Sequence, residues 1–117
     1  MNNRNFSRVS YSVGASVKYG NSLIICNTDN LSLHGMYLKT DQEIPLNMPV
    51  SVTVYHSSQS SLKFDAKVVR REESGVGVQI SSLNVKSFVQ LRDIVADNSK
   101  DRGSVMLETF KMLECIY

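Results

Sequence analysis

The chain is predicted to be a mainly β domain, a six-stranded antiparallel β-barrel with C-terminal α-helices. Three observations lead there. Short segments of alternating apolar and polar residues recur between residues 9 and 80, polar turns separate them, and the period lengthens to that of a helix only after residue 84. Strands joined by tight turns make a meander, and closing the meander into a barrel removes its exposed edges. The 117 residues suffice for one core and leave no room for a second folded domain.

Taken in order, Val9, Tyr11, Val13, Ala15, Val17 and Tyr19 alternate with Ser10, Ser12, Gly14, Ser16 and Lys18, which predicts one strand over residues 9–19. Gly20-Asn21 supplies a two-residue turn in which positive φ is cheap, so Ser22 to Asn27 returns as the antiparallel partner. The polar run Asn27-Thr28-Asp29-Asn30 is expected to belong to the turn region before a third strand at Met36-Tyr37-Leu38-Lys39, which a loop carrying Pro45 and Pro49 ends. Val50, Val52 and Val54 alternate with Ser51, Thr53 and Tyr55 in a fourth strand. Ser57-Ser58-Gln59-Ser60-Ser61 reads as a hairpin connection to a fifth, in which Leu62, Phe64, Ala66 and Val68 alternate with Lys63, Asp65 and Lys67. The turn at Glu73-Ser74-Gly75 leads to a sixth strand with Val76, Val78 and Ile80.

After Asn84, Phe88, Leu91, Ile94 and Val95 fall on one helical face, predicting a helix over one end or flank of the barrel. Residues 98–103 break that pattern, and Ser104 is expected to cap a second helix running to the C-terminus. Val105, Met106, Leu107, Phe110, Met112, Leu113, Ile116 and Tyr117 make that helix apolar around more than one face. A surface of that kind needs two covers, so packing on a partner subunit as well as on the barrel is expected.

Composition narrows the function classes. Hydrophobic residues at 42% and charged residues at 21% exclude wholesale disorder and fibrous repeats. Leu23-Ile24-Ile25-Cys26 is the longest apolar run and falls far below the ~20 residues of a membrane span. Residues 1–7 lack the apolar stretch of a secretory signal, so a cytoplasmic protein with Cys26 and Cys115 as free thiols and no membrane insertion is expected. His34, His56, Cys26 and Cys115 have no zinc-site spacing, and no metal is expected; no nucleophile triad, carboxylate pair or phosphate loop supports catalysis. The net charge of +2 is unevenly spread: no acid precedes Asp29, while Arg4, Arg8 and Lys18 occupy that stretch. An anionic partner is therefore expected at the N-terminal end.

Two short signals lie there. Arg4-Asn5-Phe6-Ser7-Arg8 is an R-x-x-x-R, and Asn30-Leu31-Ser32-Leu33-His34-Gly35 is an N-x-S-x-x-G. With Gly75-Val76-Gly77-Val78-Gln79-Ile80 and a helix after them, they resemble the PilZ domain family, whose members bind the bacterial second messenger cyclic di-GMP. The resemblance spans residues 4–97. It implies a split-barrel fold and a non-enzymatic receptor or adaptor that signals occupancy by cyclic di-GMP to a partner controlling motility, biofilm or secretion. It implies no cofactor beyond that ligand. Arg4, Arg8, Asn30, Ser32 and Gly35 are the ligand residues it implies, with Ser7, His34, Arg70 and Gly77 as further candidates.

The chemistry suits those residues. An arginine fork engages the two acceptors on a guanine edge, donates to phosphate and stacks on a purine, where lysine offers only a point charge. By the resemblance Asn30 and Ser32 would address the opposite guanine edge, and Gly35 would let the backbone bend or pass close to the ligand. Many family members carry aspartate at the position of Asn30, and glycine often stands where this chain has His34. An amide oxygen supplies one acceptor atom where a carboxylate supplies two, which lowers the expected affinity.

The expected organisation is a flexible arm over residues 1–8, a barrel plus helix over 9–97, and a helix over 98–117 that serves as a homodimerisation element. A PilZ-like module that binds a downstream protein without the nucleotide is the alternative. A small barrel binding nucleic acid is disfavoured, because the chain has no Trp and its Phe and Tyr mostly follow strand or helix periodicity.

Overall fold

In the computed structural model, residues 6–117 are described. Their strands are β1 (Val9–Ser10), β2 (Gly14–Tyr19), β3 (Ser22–Leu31), β4 (Gly35–Lys39), β5 (Pro49–Ser57), β6 (Ser60–Glu72) and β7 (Gly75–Ser82). β2 to β7 pair in the ring order β3-β2-β5-β6-β7-β4, and a β3–β4 pairing closes it. The result is the six-stranded antiparallel barrel that the alternation predicts. Inward positions such as Val17, Val52, Val54, Leu62, Val68 and Ile80 are buried, while Lys63, Asp65 and Lys67 between them face water. Gly20 takes φ of 55° in the β2–β3 turn, as a two-residue hairpin asks of it.

The single strand expected over residues 9–19 is interrupted. Ser10 pairs with Asn30 and Gly14 with Asn27, so Tyr11, Ser12 and Val13 face only Thr28 and Asp29. One residue too many on one side is a bulge, and it bends the strand. Thr28, fully buried, fills the irregularity: its hydroxyl donates to the Tyr11 carbonyl and accepts from Val13 N at 3.0 Å. Residues 27–30 are correspondingly strand and not turn. Their backbone finds partners on both sides, β1 and β2 on one and β4 on the other, which outweighs their turn-forming composition.

The helix α1 (Val85–Asn98) buries Phe88, Leu91, Ile94 and Val95 and packs against β6. Asn84 caps it, accepting from Ser87 N at 2.8 Å. The second helix departs from expectation in its cap, its length and its end. Asp101 is the cap and Ser104 lies within α2 (Arg102–Glu108): the Asp101 carboxylate accepts both Ser104 N at 3.1 Å and the Ser104 hydroxyl at 2.7 Å. Those bonds hold the Asp101 carboxyl below its usual range. α2 then tightens into a 3₁₀ helix (Thr109–Cys115) and ends, because the chain must deliver backbone groups to the end of β7. Leu83 N donates to Cys115 O at 2.9 Å and Tyr117 N donates to Leu83 O at 3.0 Å, a short parallel bridge. Val105 and Met112 face the core, while Leu107, Phe110 and Leu113 remain 70%, 70% and 60% exposed. Among the described residues no helix is long and apolar enough to cross a membrane.

Candidate functional site

The short β1–β3 pairing joins the two motifs. Arg8 immediately precedes β1, and Ser10 of that strand lies opposite Asn30. Arg8 is exposed at the surface, and its Nη1 donates to Asn30 Oδ1. Asn30 thus stands on a strand and not in the turn expected for it, and pairs on its other side with Tyr37 of β4. Its amide Nδ2 donates to Asp29 Oδ2 at 3.4 Å. Arg4 lies outside the described residues.

Ser32 and Gly35 build the turn between β3 and β4. The Ser32 hydroxyl is buried, donates to Gly35 O at 3.3 Å and accepts from His34 N and Gly35 N, both at 3.2 Å. A hydroxyl engaged in this way holds the loop that carries His34. Gly35 is required by its neighbour strand. A Cβ there would lie 2.5 Å from Val78 O of β7, so the close approach is of backbone to backbone. His34 sits without backbone strain, since Asn47 alone among the described non-glycine residues has positive φ. The His34 ring packs 4.9 Å from the Phe6 ring, with its Nε2 3.3 Å from Gln79 Nε2. Partial burial lowers the pKa of His34, which favours the neutral imidazole that can accept from Gln79.

Two small adjoining cavities flank Arg8. One, about 190 Å³, is lined by Phe6, Arg8, Ser32, His34, Gly35 and Gln79 among others. The second, about 220 Å³, brings Arg8 together with Tyr37, Arg70 and Gly77. Arg70 lies within β6, beyond the strand expected over Leu62 to Val68, and pairs with Gly77. Its guanidinium stands over the Tyr37 ring at 5.4 Å and is tethered by Glu72 at 2.9 Å. Two arginines, one just before β1 and one on β6, therefore line one hollow, and Gly77 adds no side chain to it. Ser7 points elsewhere: its N–H donates to Glu108 Oε1 at 2.8 Å and its hydroxyl to Glu108 Oε2 at 2.6 Å.

Phe6, Tyr37 and Gln79 were not singled out by the sequence. Phe6 lies inside the R-x-x-x-R, but nothing local marks it as a wall, and Tyr37 and Gln79 follow ordinary strand alternation. A larger hollow, about 650 Å³, lies on the outer face of β2, β5 and β6 and touches none of the motif residues. It is lined by Lys18, Lys63 and Asp65 among others, whereas both motifs converge on a smaller hollow beside Arg8. Among the described residues no three His, Cys, Asp or Glu side chains cluster to hold a metal ion. Burial pushes the Cys26 thiol up to about 11, so Cys26 is a protonated core group.

A family model, the PilZ domain, matches residues 2–97. Among curated proteins none matches the sequence. Several solved structures share the fold. The PilZ domain of YcgR from Escherichia coli, solved with c-di-GMP, aligns with a TM-score of 0.69 at 15% identity over 97% of this chain and 98% of that one. The inhibitor of motility from Bacillus subtilis aligns with a TM-score of 0.66 at 10% identity, covering 97% of this chain and 53% of its own. The PilZ domain of CeSA from a cellulose-synthesizing bacterium aligns with a TM-score of 0.61 at 17% identity over 76% of this chain and 94% of that one. The chain thus spans about half the length of the Bacillus inhibitor.

Proposed function

The chain belongs to the PilZ domain family, and on that footing we propose that it is a non-enzymatic receptor for cyclic di-GMP. The observation that carries the proposal is the contact between Arg8 and Asn30, which joins the two halves of the motif beside a hollow that Arg70 and Gly77 also line. In this reading the Arg8 guanidinium opens toward the ligand, reads an acceptor pair on a guanine edge or a phosphate oxygen, and keeps Asn30 oriented. Asn30 accepts from the opposite guanine edge through its amide oxygen. Arg4 supplies the second fork. Ser32 acts by holding the turn, Gly35 by letting β4 close onto β7, and Arg70 contributes positive potential and a flat stacking face over Tyr37.

Occupancy is passed to a partner protein, with control of motility as the favoured process by analogy with the Bacillus neighbour. The uncovered ridge of Leu107, Phe110 and Leu113 is proposed as the contact with a second copy of the chain. Phe110 and Leu113, three residues apart on the 3₁₀ helix, eclipse one another, and Leu107 extends their line from the end of α2, which suits a two-fold self-contact.

Isothermal titration with cyclic di-GMP tests the receptor reading. Arg8→Ala removes charge-assisted bonds, and the loss expected is about 1.5–3 kcal/mol, or roughly 10- to 150-fold in affinity. Undiminished affinity in that variant contradicts the assignment. Absence of heat with the unaltered protein favours a domain that engages protein partners without the nucleotide.

A further inference from the structure

We propose that Glu108 is a positioning residue for the arginine arm, which makes the segment from Asp101 to Cys115 a working part of the ligand site. The inference rests on the receptor reading above and adds to it a residue that lies beyond the span, 2–97, matched by the family model.

The three described residues of the arm have two working sides. Phe6 and Arg8 line the same small cavity. Ser7, between them, turns the other way and delivers both its N–H and its hydroxyl to the two oxygens of the Glu108 carboxylate, at 2.8 and 2.6 Å. A carboxylate gripping one residue through two donors fixes direction as well as distance, because each oxygen has its own partner. Glu108 is itself 9% exposed and seated at the end of α2, so the anchor is not a loose surface chain. A second contact runs parallel to the first: Lys111 Nζ stands 5.5 Å from the Phe6 ring. Thus the α2 and 3₁₀ segment holds the arm at two consecutive residues, Phe6 and Ser7, with Glu108 and Lys111 both outside the cavity lining.

The consequence follows from linkage. A polar arm of this kind loses conformational freedom when it closes on a ligand, and a contact that already restricts it lowers that loss. Glu108 therefore raises ligand affinity without touching the ligand. By reciprocity, ligand that orders the arm strengthens its grip on Glu108 and steadies the segment from α2 to the 3₁₀ helix. Occupancy is reported at the very stretch that carries the exposed Leu107, Phe110 and Leu113.

The test uses the full chain, cyclic di-GMP titration, and hydrogen exchange of residues 102–115 with and without saturating ligand. Glu108→Ala is expected to weaken binding about 5- to 30-fold, and ligand is expected to slow exchange in 102–115 in the unaltered protein but not in the variant. Glu108→Gln, which keeps an acceptor for the Ser7 N–H, is expected to recover part of the affinity. Ser7→Ala is expected to weaken binding in the unaltered background and to add nothing to Glu108→Ala. Should Glu108→Ala fail to fold, the Glu108→Gln and Ser7→Ala pair carries the same comparison. Ligand binding that is equally tight with and without these changes, or exchange in 102–115 that ligand does not alter, overturns the inference and leaves the receptor reading standing. No heat with the unaltered protein overturns both.

Discussion

Gly77 and Gly35 lie on adjacent paired strands, and their environments assign them opposite roles. A Cβ at Gly77 would meet only the Arg70 side chain, at 3.4 Å, in ordinary contact, whereas a Cβ at Gly35 would meet a carbonyl oxygen at 2.5 Å. The fold has no need of glycine at position 77, but the hollow shared by Arg8 and Arg70 does. Gly77→Val is accordingly expected to lower affinity for cyclic di-GMP about tenfold or more by filling that hollow, with the thermal midpoint unchanged; titration and a thermal melt on the same sample check both halves. The two motifs that contain Arg8, Asn30, Ser32 and Gly35 were legible in the sequence because each is local and its residue types are chemically restricted. The strand position of Asn30 was not, since its composition speaks for a turn while two neighbouring strands claim its backbone.

The turn between β3 and β4 shows how elements constrain the site. The Ser32 hydroxyl ties the loop through three hydrogen bonds, and Gly35 admits the β7 backbone, so His34 and the start of β4 are held in place near Arg8. Gly35→Ala is expected to destabilise the domain by about 1–3 kcal/mol through forced separation of β4 from β7, read as a lower midpoint in urea with an unaltered slope. The alternation of apolar residues made β5 and β7 readable almost to their ends, whereas β6 runs past Val68, where the alternation stops, to Glu72. Bulges resist such reading, because the extra residue near Ser12 is defined by its partner strand and leaves the alternation of its own strand intact. Helix α1 was legible for the same reason as the strands, a period sustained over several turns. The C-terminal helix was not, because its apolar residues satisfy an α pattern while a hydrogen-bonding demand at Leu83 ends it.

For the molecule as a whole, the barrel presents its motif at one place and its uncovered apolar ridge at another, with the segment 101–115 reaching both. If the ridge seats a second copy, light scattering of the full chain gives twice the single-chain mass, and Phe110→Glu returns it to one; a single-chain mass for the unaltered protein rejects the dimer. The six barrel strands, most of their turns, the first helix and the arginine motif are written in windows of a few residues, where alternation, turn chemistry and spacing act without distant help. The bulge opposite Thr28, the meeting of Arg8 with Arg70, and the grip of Glu108 on Ser7 across 101 residues of chain depend on closure of the barrel. Local periodicity specifies which face a side chain presents, but it carries no information about which distant backbone or carboxylate that face will meet.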